Sequence, residues 1–163
     1  MLRHRRAIIV CALALIVEVA LIALVFFGGN LQQWRTGYVA SHAQACGALT
    51  YAAGRLTTTT AEAQRVEACF AHADAHCQAA TLSASVMGVD TGERDILVVQ
   101  PPLGPFGACQ VLLSVTRYGL ISMPNRTETA TCGGVVLGPT RMTVSACGAI
   151  GDVTLPSTQG APW

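Results

Sequence analysis

The sequence predicts an α+β fold: one N-terminal transmembrane helix, then a small domain with one helix packed on an antiparallel meander sheet. Three observations carry that expectation. Residues 7–27 form an apolar run interrupted only by Glu18. A helical apolar period occupies residues 60–80 and then gives way to a period of two, punctuated by Gly, Pro and Asn. Six cysteines lie beyond the apolar run. A lone helix followed by short strands joined by tight turns is the pattern of an α+β domain.

At ~1.5 Å of rise per residue the apolar run spans roughly 30 Å, the hydrocarbon thickness of a bilayer. A cleaved signal peptide has a shorter apolar region, ~7–15 residues, that ends at small residues. Here the run ends in Phe26-Phe27-Gly28-Gly29, and the small-x-small sites Ser41-His42-Ala43 and Ala43-Gln44-Ala45 lie too far downstream. Cys11 opens the run instead of closing it, and Ile8-Ile9-Val10 lacks the small residue of a lipoprotein site. Residues 7–28 are therefore expected to be an uncleaved signal anchor.

Arg3, His4, Arg5 and Arg6 precede the span, and the one nearby cation after it is Arg35. The positive-inside rule then places residues 1–6 in the cytoplasm and the C-terminal domain on the far side of the membrane, with a single pass. Trp34 and Tyr38 follow the span, where amphipathic rings settle at the headgroups. Glu18, near mid-span, is costly as an ionised group. It either faces a partner's transmembrane helix or stays protonated in a lone one. Ala12, Ala14, Ala20 and Ala23 permit close helix approach.

Residues 29–45 read as a juxtamembrane linker, 46–156 as the exported domain and 157–163 as a C-terminal tail. Beyond the span lie roughly 130 residues, enough for one domain with a modest core. Of ten basic and nine acidic residues, three arginines and Glu18 belong to the N-terminal segment, so the exported part is close to neutral. It has no basic stripe, which argues against nucleic acid as a partner. The chain contains no lysine, so lysine nucleophiles and Schiff-base chemistry are excluded.

An even number of exported cysteines in an oxidising compartment reads as a disulfide framework. Cys109 and Cys132 occupy successive strand-like runs and are expected to pair. Cys77, closing the helix, is expected to meet Cys147 in the last strong strand pattern. That leaves Cys46 with Cys69. No metal site and no cofactor is expected.

The helix is predicted over 60–80. Thr59 and Glu62 have capping-box spacing, and Val66, Cys69, Phe70, Ala73, Cys77 and Ala80 recur at three-to-four spacing. Strands are predicted at 81–89, 96–99, 108–117, 128–137, 141–147 and 152–155. A turn is expected at 90–93, and a Pro/Gly loop at 100–107 stops the second strand.

Three motifs carry possible chemistry. Asp90-Thr91-Gly92 after an apolar strand resembles the catalytic loop of aspartic proteases, with Val136-Leu137-Gly138 as a counterpart apolar-apolar-Gly element. Glu93 departs from the small residue expected there, the motif occurs once, and Asp and Gly are what a hairpin turn demands. His72 and His76 stand one helical turn apart near Cys69, Cys77, His42 and Cys46, a spacing that suits a metal. Disulfide formation competes for those cysteines. Asn125-Arg126-Thr127 has glycosylation spacing. No Cys-x-x-Cys, Gly-x-Ser-x-Gly or phosphate loop occurs. No catalytic activity is expected.

Cys46-Gly47, Cys69-Phe70, Cys77, Ala80-Thr81-Leu82, residues 87–92 and Ala146-Cys147-Gly148 together resemble uncharacterised exported lipoprotein-like domains of filamentous green bacteria. The resemblance covers most of 46–156 and implies a disulfide-stapled α+β fold without supplying an activity. A single span bearing a small exported domain also resembles the accessory subunits of electron-transfer complexes such as alternative complex III. That likeness implies a non-catalytic subunit whose span packs on partner helices and whose domain braces the periplasmic face. A free-standing membrane-anchored binding or sensor module is the alternative, and a dimeric aspartic protease the third.

Overall fold

The computed structural model describes residues 16–19, 41–102, 107–119 and 126–158. Residues 16–19 are helical with exposed side chains, Glu18 among them. The rest of the expected anchor, Cys11, Trp34 and Tyr38 lie outside the described residues. Among the described residues no helix is long and apolar enough to cross a membrane.

From residue 41 onward the chain is an α+β domain with a six-stranded mixed sheet, one covering helix and a three-stranded antiparallel sheet. The larger sheet has the order β2-β1-β3-β4-β5-β6, with β1 at Gln44–Ala52, β2 at Arg55–Leu56, β3 at Ala80–Met87, β4 at Thr91–Gln100, β5 at Gln110–Gly119 and β6 at Arg126–Cys132. The smaller one joins β7 (Gly134–Leu137), β8 (Arg141–Ser145) and β9 (Val153–Pro156) in that order. The expected meander holds for β3 to β6. The sheet as a whole is mixed, because β1 runs parallel to β3 and the helix α1 (Thr60–Ala75) provides the crossover. Strand β1 begins at Gln44, inside the segment expected to be linker.

Helix α1 starts where Thr59 Oγ1 accepts the Glu62 amide at 3.3 Å. The Glu62 carboxylate does not complete a capping box but pairs with Arg65 at 3.4 Å. Ala63, Val66, Glu67, Phe70 and Ala73 face the sheet and are buried. The helix stops five residues short of the expected end. The Cys77 amide donates to the Asp74 carbonyl at 3.1 Å and the Gln78 amide to the Ala73 carbonyl at 2.9 Å, the paired bonds of a Schellman stop. Cys77 holds the left-handed position at φ 51°, which most helices give to glycine. Placing a side chain there costs on the order of 1 kcal/mol.

Alternation decides which face each strand residue serves. Leu49 and Tyr51 of β1, Ala80, Leu82 and Ala84 of β3, Leu97 and Val99 of β4, and Val111, Leu113 and Val115 of β5 are all buried. Val66 and Phe70 from the helix and Met142, Val144 and Leu155 from the small sheet complete that core. Burying each large apolar side chain contributes roughly 1.5–3 kcal/mol. Tyr51 Oη also donates to the Pro156 carbonyl at 2.9 Å, which ties β1 to the end of β9. Gly47 sits at an irregularity in β1 with φ 133°, and a Cβ there would meet Val66 Cγ2 at 2.7 Å, so glycine lets helix and strand close up.

The strand expected at 128–137 is two strands. At Gly133 the amide donates to the Ser145 carbonyl at 2.8 Å, so the chain leaves β5 and begins to pair with β8. This change of partner decides the disulfides. In the β7–β8 ladder Gly134 faces Ser145, so two steps further Cys132 faces Cys147, and those two are bridged. In the β5–β6 ladder Val111 faces Cys132, which puts Cys109 out of register for the bridge expected there. The expected Cys109–Cys132 and Cys77–Cys147 pairs are thus replaced by Cys132–Cys147, with Cys77 and Cys109 as free thiols. The Cys46–Cys69 bridge is present and fastens β1 to α1. Two disulfides mark this as a domain of the kind that oxidising, extracytoplasmic compartments hold.

Candidate functional site

The free end of the large sheet concentrates charge because of strand register. On the face that carries the core, Val86 of β3, Glu93 of β4, Arg117 of β5 and Arg126 of β6 stand in one row. The next row inward is Ala84, Asp95, Val115 and Glu128. An apolar face therefore ends in a strip of acids and arginines, open to solvent as a cleft of about 700 Å³. Val86, Glu93, Arg117, Tyr118 and Arg126 line it.

Arg117 is held on both sides. Its Nε donates to Glu93 Oε2 at 2.6 Å, and its Nη1 lies 3.5 Å from Glu128 Oε2. The bond to Glu93, and then that carboxylate's charge, raise the Arg117 pKa further, so the guanidinium is permanently protonated. Arg126 faces Arg117 across the ladder, and among the described residues it makes no ion pair. The cleft thus presents a neutralised arginine beside a free one, with the Tyr118 ring at the rim. Such a lining can hold a carboxylate or another small anion through Arg126.

Behind the cleft lie two buried acids that periodicity alone did not single out. Asp95 is 2% exposed, and Oδ1 has no hydrogen-bond partner. Burial, and then the Glu93 charge, push its pKa up to about 7, against an opposing pull from Arg117. Glu67 on the inner face of α1 is 1% exposed, with neither carboxylate oxygen bonded. Burial raises it to about 7 as well; the Ser157 hydroxyl opposes the rise without a bond of good geometry. Tyr51 feels both carboxylates: burial first, then Glu67 and Asp95, raise its hydroxyl pKa. Two parities in the sequence mark these acids in hindsight. Asp95 alternates with Leu97 and Val99, and Glu67 lies four residues after Ala63 and three before Phe70.

The motif residues fall into ordinary structural roles. The Gly88 amide donates to the Thr91 carbonyl at 2.8 Å, so the tight turn spans residues 88–91, two earlier than expected. Val89 and Asp90 are its exposed central pair. Thr91 and Gly92 already belong to β4. Gly92 is directly opposite Tyr118, and a Cβ there would collide with the ring, so the glycine is a seat for a cross-strand aromatic. Val136 and Leu137 are exposed in β7, in the other sheet.

The structure separates the residues of the possible metal cluster. Cys46 and Cys69 are consumed by their mutual bridge. His72 and His76 stack with ring centroids 4.1 Å apart, and His76 Nδ1 lies 2.9 Å from the His72 carbonyl oxygen. Among the described residues no three metal-binding side chains converge. Comparison with family models, with curated proteins and with solved structures finds no match to this chain.

Proposed function

We propose that this chain is a non-catalytic accessory subunit of a multi-subunit membrane complex, with the N-terminal helix packed on partner helices and the exported domain bracing the periplasmic face. The observation that carries the proposal is Glu18, an ionisable residue inside the apolar run of 7–27 and within the helical residues 16–19. A carboxyl group at that depth is best accommodated against another protein helix. The exported domain suits a bracing role: both disulfides fasten secondary elements together, and one face of the large sheet is free of covering helix among the described residues. The likeness to accessory subunits of electron-transfer complexes makes such a complex the assembly proposed.

The charged cleft favours a second reading, a membrane-anchored binding module that takes a small anion at Arg126. Purification from membranes in mild detergent separates the two. A stoichiometric set of membrane subunits supports the accessory role. A chain recovered alone, whose affinity for small carboxylates drops on Arg126→Ala, supports the binding module.

A further inference from the structure

Cys77 and Cys109 are far apart in sequence, yet one carbonyl gathers them. The Asp74 oxygen accepts the Cys77 amide at 3.1 Å and the Cys109 thiol at 3.8 Å. The Cys77 thiol in turn lies close enough to that of Cys109 to raise its pKa. Both residues are half-buried, so small thiol reagents can reach them. Cys77 also occupies a left-handed position that backbone sterics reserve for glycine. The same domain already carries two oxidised pairs.

We propose that Cys77 and Cys109 form a thiol–disulfide exchange site, closing on reaction with an exogenous disulfide to strap the end of α1 to the start of β5. Burial, and then the neighbouring Cys77 thiol, raise the Cys109 thiol pKa, consistent with two cysteines gathered at one carbonyl. In one sequence of events, Cys77 releases its proton to water and attacks one sulfur of the exogenous disulfide. A mixed disulfide forms and one small thiolate leaves. Cys109 then loses its proton and attacks the Cys77 sulfur, forming the intramolecular bond and expelling the second small thiol. Two protein thiols are oxidised by two electrons, and the exogenous disulfide is reduced to two thiols. The strap adds a third bridge to a helix end already joined to β7, where Asp74 Oδ2 accepts the Val135 amide at 3.1 Å.

The test uses the full chain in detergent, exposed to oxidised glutathione, alkylated and mapped without reduction. The expected product is a Cys77–Cys109 crosslinked peptide two hydrogens lighter than the dithiol, with Cys46–Cys69 and Cys132–Cys147 unchanged. The thermal midpoint should rise by several degrees on closure and fall back with a mild reductant that spares the other bridges. In Cys109→Ser and in Cys77→Ser the remaining thiol has no partner to resolve the mixed disulfide and should accumulate as a stable glutathione adduct. Glutathione on both sulfurs without a crosslink, no reaction at either, or a crosslink to Cys132 or Cys147 would each overturn the proposal.

Discussion

Gly92 and Asp90 show how adjacent residues of one motif obey different constraints. Gly92 has no room for a side chain because Tyr118 lies across it. Gly92→Ala must displace the ring or bend β4, and the expected cost is about 1–3 kcal/mol, the usual range for overpacking. A urea melt checks it, and Tyr118→Ala in the same background should recover part of the loss. Asp90 sits exposed in the turn, where Asn suits the same backbone, so Asp90→Asn should shift stability by no more than about 0.5 kcal/mol. A pepstatin-sensitive peptidase activity abolished by Asp90→Asn would instead revive the protease resemblance. Glu67 and Asp95 make a sharper demand. Their ordinary values, 4.5 and 3.8, rise to about 7 on folding, so between those limits the folded chain keeps protons that the unfolded chain has released. Stability must therefore fall as pH rises from about 4 to about 7 and level off above that, with a slope of up to ~1.4 kcal/mol per pH unit for each group. Thermal melts at pH 5 and pH 8 should show the lower midpoint at pH 8. Glu67→Gln with Asp95→Asn should flatten the difference. A wild-type midpoint that climbs toward pH 8 would contradict the buried-acid assignment.

Among the elements, legibility in the sequence followed how local the determining contacts are. Helix α1 and strands β3 to β5 declare themselves through Thr59, the Val66-Phe70-Ala73 face and the run Ile96-Leu97-Val98-Val99, all of which repeat within a few residues. Strand β1 does not. Gln44-Ala45-Cys46-Gly47-Ala48 has almost no apolar alternation, and the strand exists because β3, brought back by the helix crossover, supplies a parallel partner. The split at Gly133 was hidden for a related reason: residues 128–137 keep a strand-like pattern throughout while the partner changes from β5 to β8. Disulfide connectivity inherits that blindness, since it depends on registers that pair distant strands. Asp95 and Glu67 were readable only by parity, because a carboxylate is ordinarily assigned to the surface. The Cys132–Cys147 bridge gives this scale its own prediction. It closes a loop with a sequence separation of 15, for which the chain-entropy argument expects about 3 kcal/mol. Cys132→Ser with Cys147→Ser should lower the denaturation midpoint accordingly, and protease cleavage should concentrate in residues 133–147. Unchanged stability would show that the ladder between β7 and β8 holds this segment without its staple.

At the scale of the whole molecule, a disulfide-stapled domain follows an apolar run that carries one carboxyl group, Glu18. The two ways of accommodating Glu18 differ in what replaces it best. In a lone helix the group is a burden kept neutral by protonation, so Glu18→Leu should improve membrane insertion and change nothing else. Against a partner helix the carboxyl group makes a hydrogen bond that Leu cannot make and Gln can retain. Recovery of associated membrane subunits in mild detergent should then be lost with Glu18→Leu and largely kept with Glu18→Gln. Melting of the exported domain should be the same in all three chains, because residues 16–19 belong to a separate compact unit. Mass spectrometry of the extracted chain supplies the necessary control, since the comparison has meaning only while residues 7–28 stay attached. A mature chain beginning after Ala43 or Ala45 would remove the anchor and the accessory role together. Full partner recovery with Glu18→Leu would leave the anchor in place and shift the contact to the exported domain, where the charged cleft around Arg126 becomes the surface to substitute next.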